Sequence, residues 1–166
     1  MNSVMKGNMG EYYALAELSR RGWTAAQTAR NTRNYDILAK KDSRQIAVRV
    51  KTKTSDARVF QWNAKREGKI FAEITEHDFS VLVDIPESHQ EIPQFYIVPT
   101  RLIDDWLQTD FKTWLRTPGR NNSVHDPKNP RRMMYLDDDH SKVAHGYRLR
   151  LNPYLAKWNL LEGDSN

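Results

Sequence analysis

The sequence predicts a single α/β domain, and three observations carry that expectation. Strands announce themselves by alternation: in "QIAVRVKTK" at 45–53, Ile46, Val48 and Val50 are spaced by two. Helical spacing opens the chain, through Tyr12, Leu15, Ala16 and Leu18, and returns in the stretch that follows Pro99. With 166 residues, one domain over 1–166 can bury a core without disulfide or zinc–cysteine staples, and the chain has no cysteine to make them.

The elements follow in order. From Gly10, "GEYYALAELSRRG" reads as a helix, with Arg20–Arg21 and Gly22 as its C-terminal charge and stop. "WTAAQTARN" holds a short strand before a loop. "NYDILAKKDSRQIAVRVKTK" reads as strand, turn, strand, and another short strand falls near Val59–Trp62. "HDFSVLVDI" and "QFYIVPT" form a hairpin through the polar loop "PESHQEIP". "TRLIDDWLQTDFKTWL" is helical, with a break expected near Thr109–Asp110. "RTPGRNNSVHDPKNPRR" is a long loop, "MMYL" a short strand, and "NPYLAKWNLL" a closing helix.

The net charge of +5 is unevenly spread. Residues 1–70 hold 15 Lys and Arg against 6 Asp and Glu, whereas residues 71–166 hold 11 against 15. A cationic amino-terminal part points to a polyanion, and DNA is the expected partner because phosphate contacts release counterions. A solvated face with ordinary Lys and Arg explains the same numbers. The lack of cysteine excludes thiol nucleophiles. No apolar run has the length of a signal-peptide core or a membrane span, so a soluble, cytoplasmic protein without a membrane partner is expected. A homodimer or a protein partner is compatible with this composition.

Three polar residues stand out by setting. Glu11 falls in the expected first turn of the opening helix, Asp36 on the strand "NYDILAK", and Lys51 on its hairpin partner. With "RVKTKT", "DFSVLVDI", "FYIVPT" and the terminal "KWNLLEG", these segments resemble, in order and spacing, the PD-(D/E)XK nuclease superfamily. The likeness is to a branch of small prokaryotic proteins and spans most of the chain. The resemblance implies a restriction-endonuclease-like mixed central sheet flanked by helices. It also implies Glu11 and Asp36 as metal ligands, Lys51 as the catalytic lysine, and magnesium-dependent phosphodiester cleavage. Converging carboxylates hold a divalent cation that neutralises phosphate and activates water; a lysine beside them polarises the nucleophile or stabilises developing charge. A structural account of the same residues makes Glu11 a first-turn acid favoured by the helix dipole and Asp36 a turn or strand-end residue.

Arg49 departs from the family pattern, which places Glu or Gln two residues before the lysine. Strand parity puts Arg49 on the same face as Lys51, and a guanidinium has no oxygen to offer a cation. At roughly 5 Å and an effective dielectric near 20, its repulsion of a divalent ion would be about 6–7 kcal/mol. Arg49 is therefore expected to modify the site by pairing with Glu11 or Asp36, giving weak metal binding and slow or absent cleavage. The alternative function is an inactive family member acting as a DNA- or protein-binding regulatory module in a mobile-element, defence or counter-defence system. Glu17 and Gln45 are poorly spaced to replace the lost ligand.

Lys53, Arg58, Trp62, Lys65, Arg66, Arg131 and Arg132 are the expected nucleic-acid contacts, with Trp62 offered as a base-stacking platform and the loop from Arg116 to Arg132 as a backbone clamp. The remaining tryptophans read mostly as core. His125, His140 and His145 match no compact ligand spacing, and Asp137–Asp139 reads as a solvated turn.

Overall fold

The opening helix is longer than its apolar spacing predicts. α1 spans Ser3–Arg20, and the side chain of Asn2 caps it by accepting a hydrogen bond from the Met5 amide at 2.9 Å. Gly7 and Asn8 are weak helix formers that blur the pattern before Gly10. Glu11 consequently lies in the middle of the helix, and the first turn holds no acid. The helix-dipole account of Glu11 falls with that.

The structure, a computed structural model, describes residues 2–29, 35–55 and 57–163, with Arg66 described in its backbone alone. Strands β1 (Thr24–Gln27), β2 (Ile37–Lys41), β3 (Arg44–Thr54), β4 (Val59–Asn63), β5 (Asp78–Ile85) and β6 (Gln94–Pro99) precede α2 (Thr100–Arg116), β7 (Arg131–Tyr135) and α3 (Tyr147–Leu151). Among the described residues, five strands form one sheet in the order β1-β2-β3-β5-β6, parallel only between β3 and β5, and β4 pairs with β7 separately. This is the mixed, helix-flanked sheet that the family resemblance implies.

β3 and β5 divide the interior by alternation. Ile46 and Val48 join Phe79, Val81, Val83 and Ile85 in the core beneath α1, together with Ala14 and Leu18. Leu82 faces the other way, with Tyr96, Val98, Ile103 and Leu107, into a core closed by Phe60, Trp62 and Met134 of the β4–β7 pair. α1 lies close against the sheet at Gly10, where an added Cβ would stand 1.8 Å from Thr52 Oγ1. A glycine here lets the helix backbone lie against β3 and sets the height of Glu11, its neighbour.

Two expectations are corrected. α2 runs unbroken through Thr109–Asp110, its Ile103 and Leu107 buried one turn apart. The C-terminal stretch is not a continuous helix: short 3₁₀ turns at Asn152–Tyr154 and Trp158–Glu162 follow α3, and Pro153 removes an amide that a longer helix would need. None of the helices among the described residues is long and apolar enough to cross a membrane.

Candidate active site

The ladder between β2 and β3 ends at Ile37 opposite Val48, leaving the Val50 amide without a strand partner. Asp36 supplies one: its Oδ2 accepts from Val50 N at 2.7 Å, while its own amide donates to the Val48 carbonyl at 2.9 Å. The Thr28 amide donates to the Asp36 carbonyl at 2.9 Å, which ties the residue to the end of β1 as well. Asp36 is thus held on both sides by main chain. Burial pushes its carboxyl above the ordinary carboxylate value, against the lowering effects of the Val50 hydrogen bond and of the Arg49 and Lys51 charges.

Glu11 and Asp36 line the same concavity, about 420 Å³, with Gly7, Tyr12, Gln27 and Tyr35. Gln27 Nε2 donates to Glu11 Oε2 at 2.9 Å and orients that carboxylate. Sequence reading passed Gln27 over. Its one signal was a polar residue ending a short strand, and nothing in the spacing relates it to a glutamate sixteen residues earlier.

Lys51 does not line that concavity; it lies on the other face of β3, which carries three cations at alternate positions: Arg49, Lys51 and Lys53. Arg49 does not pair with Glu11 or Asp36, contrary to expectation. Its Nη1 donates to Asp78 Oδ2 at 2.9 Å, its Nη2 to the Glu73 carbonyl at 2.8 Å, and its guanidinium lies 5.2 Å from the Phe71 ring centroid. The reason is position: β5 runs parallel to β3 and opens with Asp78 on the same face, itself fixed by the Thr75 amide and hydroxyl.

Lys53 pairs with Asp84, its register neighbour on β5. Lys51 faces Leu82 instead. Among the described residues it makes no ion pair within 4 Å, and its amine sits 5.6 Å from the Trp62 ring centroid. Burial pushes its ammonium below the ordinary lysine value, partly offset by the charge of Asp36. One half-buried lysine, without a salt-bridge partner and electrostatically coupled to a desolvated aspartate, is the arrangement a functional site favours.

The expected nucleic-acid contacts divide. Arg58, Lys65 and Arg131 are exposed. Lys53 and Trp62 are buried and unavailable as surface contacts, Lys53 because of Asp84, Trp62 because it packs under Lys51; Arg132 is buried in the wall of a cleft. A tryptophan 9% exposed offers no face to a base. The side chain of Arg66 lies outside what is described. Among the histidines, His125 stacks on Trp114 at 3.9 Å, and His145 stacks on Tyr135 and bonds Asp137; Asp139 caps a turn through the Ser141 amide.

As a cation site, the concavity offers the Glu11 and Asp36 carboxylates. Among the described residues, no group of three His, Cys, Asp or Glu is placed to hold a metal. Two carboxylates in an open, polar recess suit magnesium, which keeps several waters and commonly takes one or two carboxylates plus substrate phosphate.

No functionally curated protein matches the chain. Among solved structures, a bacterial homing endonuclease, I-Ssp6803I, superimposes with a TM-score of 0.53 at 15% identity, covering 97% of this chain and 92% of that one. The Holliday junction resolvase Hjc of Archaeoglobus fulgidus, an archaeal hyperthermophile, gives a TM-score of 0.39 at 18% identity, over 58% of this chain and 75% of that one. The first likeness is one of fold. Residues 1–124, which contain Glu11, Asp36 and Lys51, match the sequence profile of the PD-(D/E)XK endonuclease. The chain belongs to the PD-(D/E)XK endonuclease family.

Proposed function

We propose that this chain is a DNA nuclease that hydrolyses phosphodiester bonds at the Glu11–Asp36 concavity with the help of Lys51. The observation that carries the reading is the isolation of Lys51: among the described residues, it alone of three cations on one face of β3 lacks a carboxylate partner within ion-pair distance, and it is coupled to Asp36. Glu11 and Asp36 would hold a divalent cation, magnesium by ligand chemistry, which when bound neutralises the scissile phosphate and acidifies a water.

The chain's own groups do the rest. Gln27 holds Glu11 in its rotamer, and main-chain hydrogen bonds fix Asp36. Lys51, on a strand and braced by Trp62, presents an amine with a lowered proton affinity. Such an amine takes a proton from the attacking water, or as ammonium meets the charge that develops on the phosphate. With its guanidinium engaged by Asp78, Arg49 is withdrawn as a close competitor for the cation.

The rival reading, an inactive binding module, draws support from the carboxylate count, two rather than three. Nicking of supercoiled plasmid, run beside a magnesium titration by calorimetry, separates the two. The nuclease reading expects cleavage that needs magnesium, stops in EDTA and is lost in Asp36→Ala. Plasmid binding without cleavage at any magnesium concentration selects the inactive module.

A further inference from the structure

A second cavity, about 580 Å³, lies between α2, the turn after β4 and the segment 127–130. It shares no lining residue with the Glu11–Asp36 concavity. Its rim carries Lys65, Lys112 and Lys128, and Arg132 lines it from β7. The single carboxylate in the lining, Glu67, is exposed and lies 3.6 Å from Lys69.

Arg132 is the unusual member. It is 4% exposed, its guanidinium lies 3.3 Å from the Phe111 ring centroid, and its Nη1 donates to the carbonyls of Asn129 and Arg131 at 2.8 and 3.0 Å. Its Nε is buried without any hydrogen-bond partner, and among the described residues no carboxylate pairs with it. A buried arginine is ordinarily matched by an acid, because an uncompensated charge in the interior is costly. Here the fold supplies a stacking ring and two neutral carbonyls but no counter-ion, while three lysines stand around the opening.

The walls are held in place. The Gln108 amide reaches the Gly68 carbonyl at 3.4 Å, the Ala64 amide donates to the Pro130 carbonyl at 2.7 Å, and Asp126 Oδ1 accepts from the Lys128 amide at 2.8 Å. An anion entering the cleft therefore meets a preformed cationic recess.

We propose that this cleft binds the phosphates of a nucleic-acid backbone, a second anchoring point for the substrate away from the reacting bond. The proposal rests on the nuclease reading above and deepens it. Anchoring at a distance fixes register on the duplex and carries no sequence information.

The test is duplex binding by fluorescence anisotropy across a salt series, in EDTA so that no cleavage occurs. Each phosphate contact contributes about 0.9 to the slope of log affinity against log salt. Lys112→Gln/Lys128→Gln should lower that slope by about two, whereas Lys157→Gln, an exposed lysine outside the cleft, should leave it unchanged. An unaltered slope in the double variant, with steep salt dependence in the native protein, overturns the cleft as a phosphate site and leaves the nuclease reading standing. Failure of the native protein to bind duplex in low salt overturns both. Arg132→Met gives an independent readout: the duplex-induced rise in melting temperature should shrink while the ligand-free protein keeps its stability or gains some. A ligand-free loss with an unchanged duplex-induced rise would make Arg132 structural.

Discussion

Arg49 and Lys53 differ from Lys51 in what β5 places within their reach, although all three share one face of one strand. Asp78 and Asp84 neutralise the outer pair, and Leu82 leaves the middle residue facing hydrocarbon and the Trp62 ring. The outer cations are part of the scaffold that holds β3 to β5. The central one keeps a charge that the scaffold does not satisfy. Three alternating cations therefore have two different jobs, and the partner strand decides which job each has.

That contrast can be broken one residue at a time. Lys51→Met should cause the largest change, a loss of plasmid cleavage of about 10²–10⁴-fold with duplex binding retained; equal loss of binding would mark Lys51 as a contact only. Arg49→Gln should act on stability. Removing one member of a buried pair leaves Asp78 uncompensated, at a cost of about 3 kcal/mol in urea unfolding. Adding Asp78→Asn to Arg49→Gln should recover most of that loss. If Arg49→Gln instead left stability intact and greatly raised cleavage, the Asp78 pairing would be unimportant and position 49 would control the metal site after all.

Lys53→Met should cost less, about 2 kcal/mol, since Asp84 is partly solvated, and should leave the cleavage rate of the folded protein within a few-fold of native. The smallest effect on stability concerns Asp36. Its folded carboxyl has a raised proton affinity because of burial, so the folded state binds more protons than the unfolded one above the unfolded value. Stability contributed at that position is therefore lost as pH rises through the window above 3.8. Asp36→Asn should raise stability at neutral pH by about 1 kcal/mol while abolishing cleavage, and the gain should fade toward acid pH. Thermal melts of both proteins across pH check the sign.

The fold was largely legible in the sequence. Alternation in 45–53 and an apolar run in 78–85 located β3 and β5, and the order of the "GE", "YD" and "VKT" segments pointed to the family. Short-range patterns could not reveal which partner each cation takes. Arg49 and Asp78 lie 29 residues apart and meet because β5 is parallel to β3 in one register; a shift by one residue would turn every acid on β5 to the other face. Burial of Trp62 and Arg132 was hidden for a related reason: the β4–β7 pairing joins Trp62 to Arg132 across 70 residues of sequence. Charge composition counted all these cations alike, although Arg49, Lys53 and Arg132 are buried and contribute little to the surface.

Among the described residues the Lys51 ammonium has no salt-bridge partner, and it is coupled to Asp36. Titration of the lysine side chains by nitrogen-15 NMR measures this directly, comparing the native protein with Asp36→Asn. The native Lys51 signal should titrate below the ordinary lysine value of 10.5, because burial disfavours the ammonium, and Asp36→Asn should lower it further by removing the one charge that raises it. A Lys51 that titrates at or above the ordinary value, unmoved by Asp36→Asn, would contradict the account.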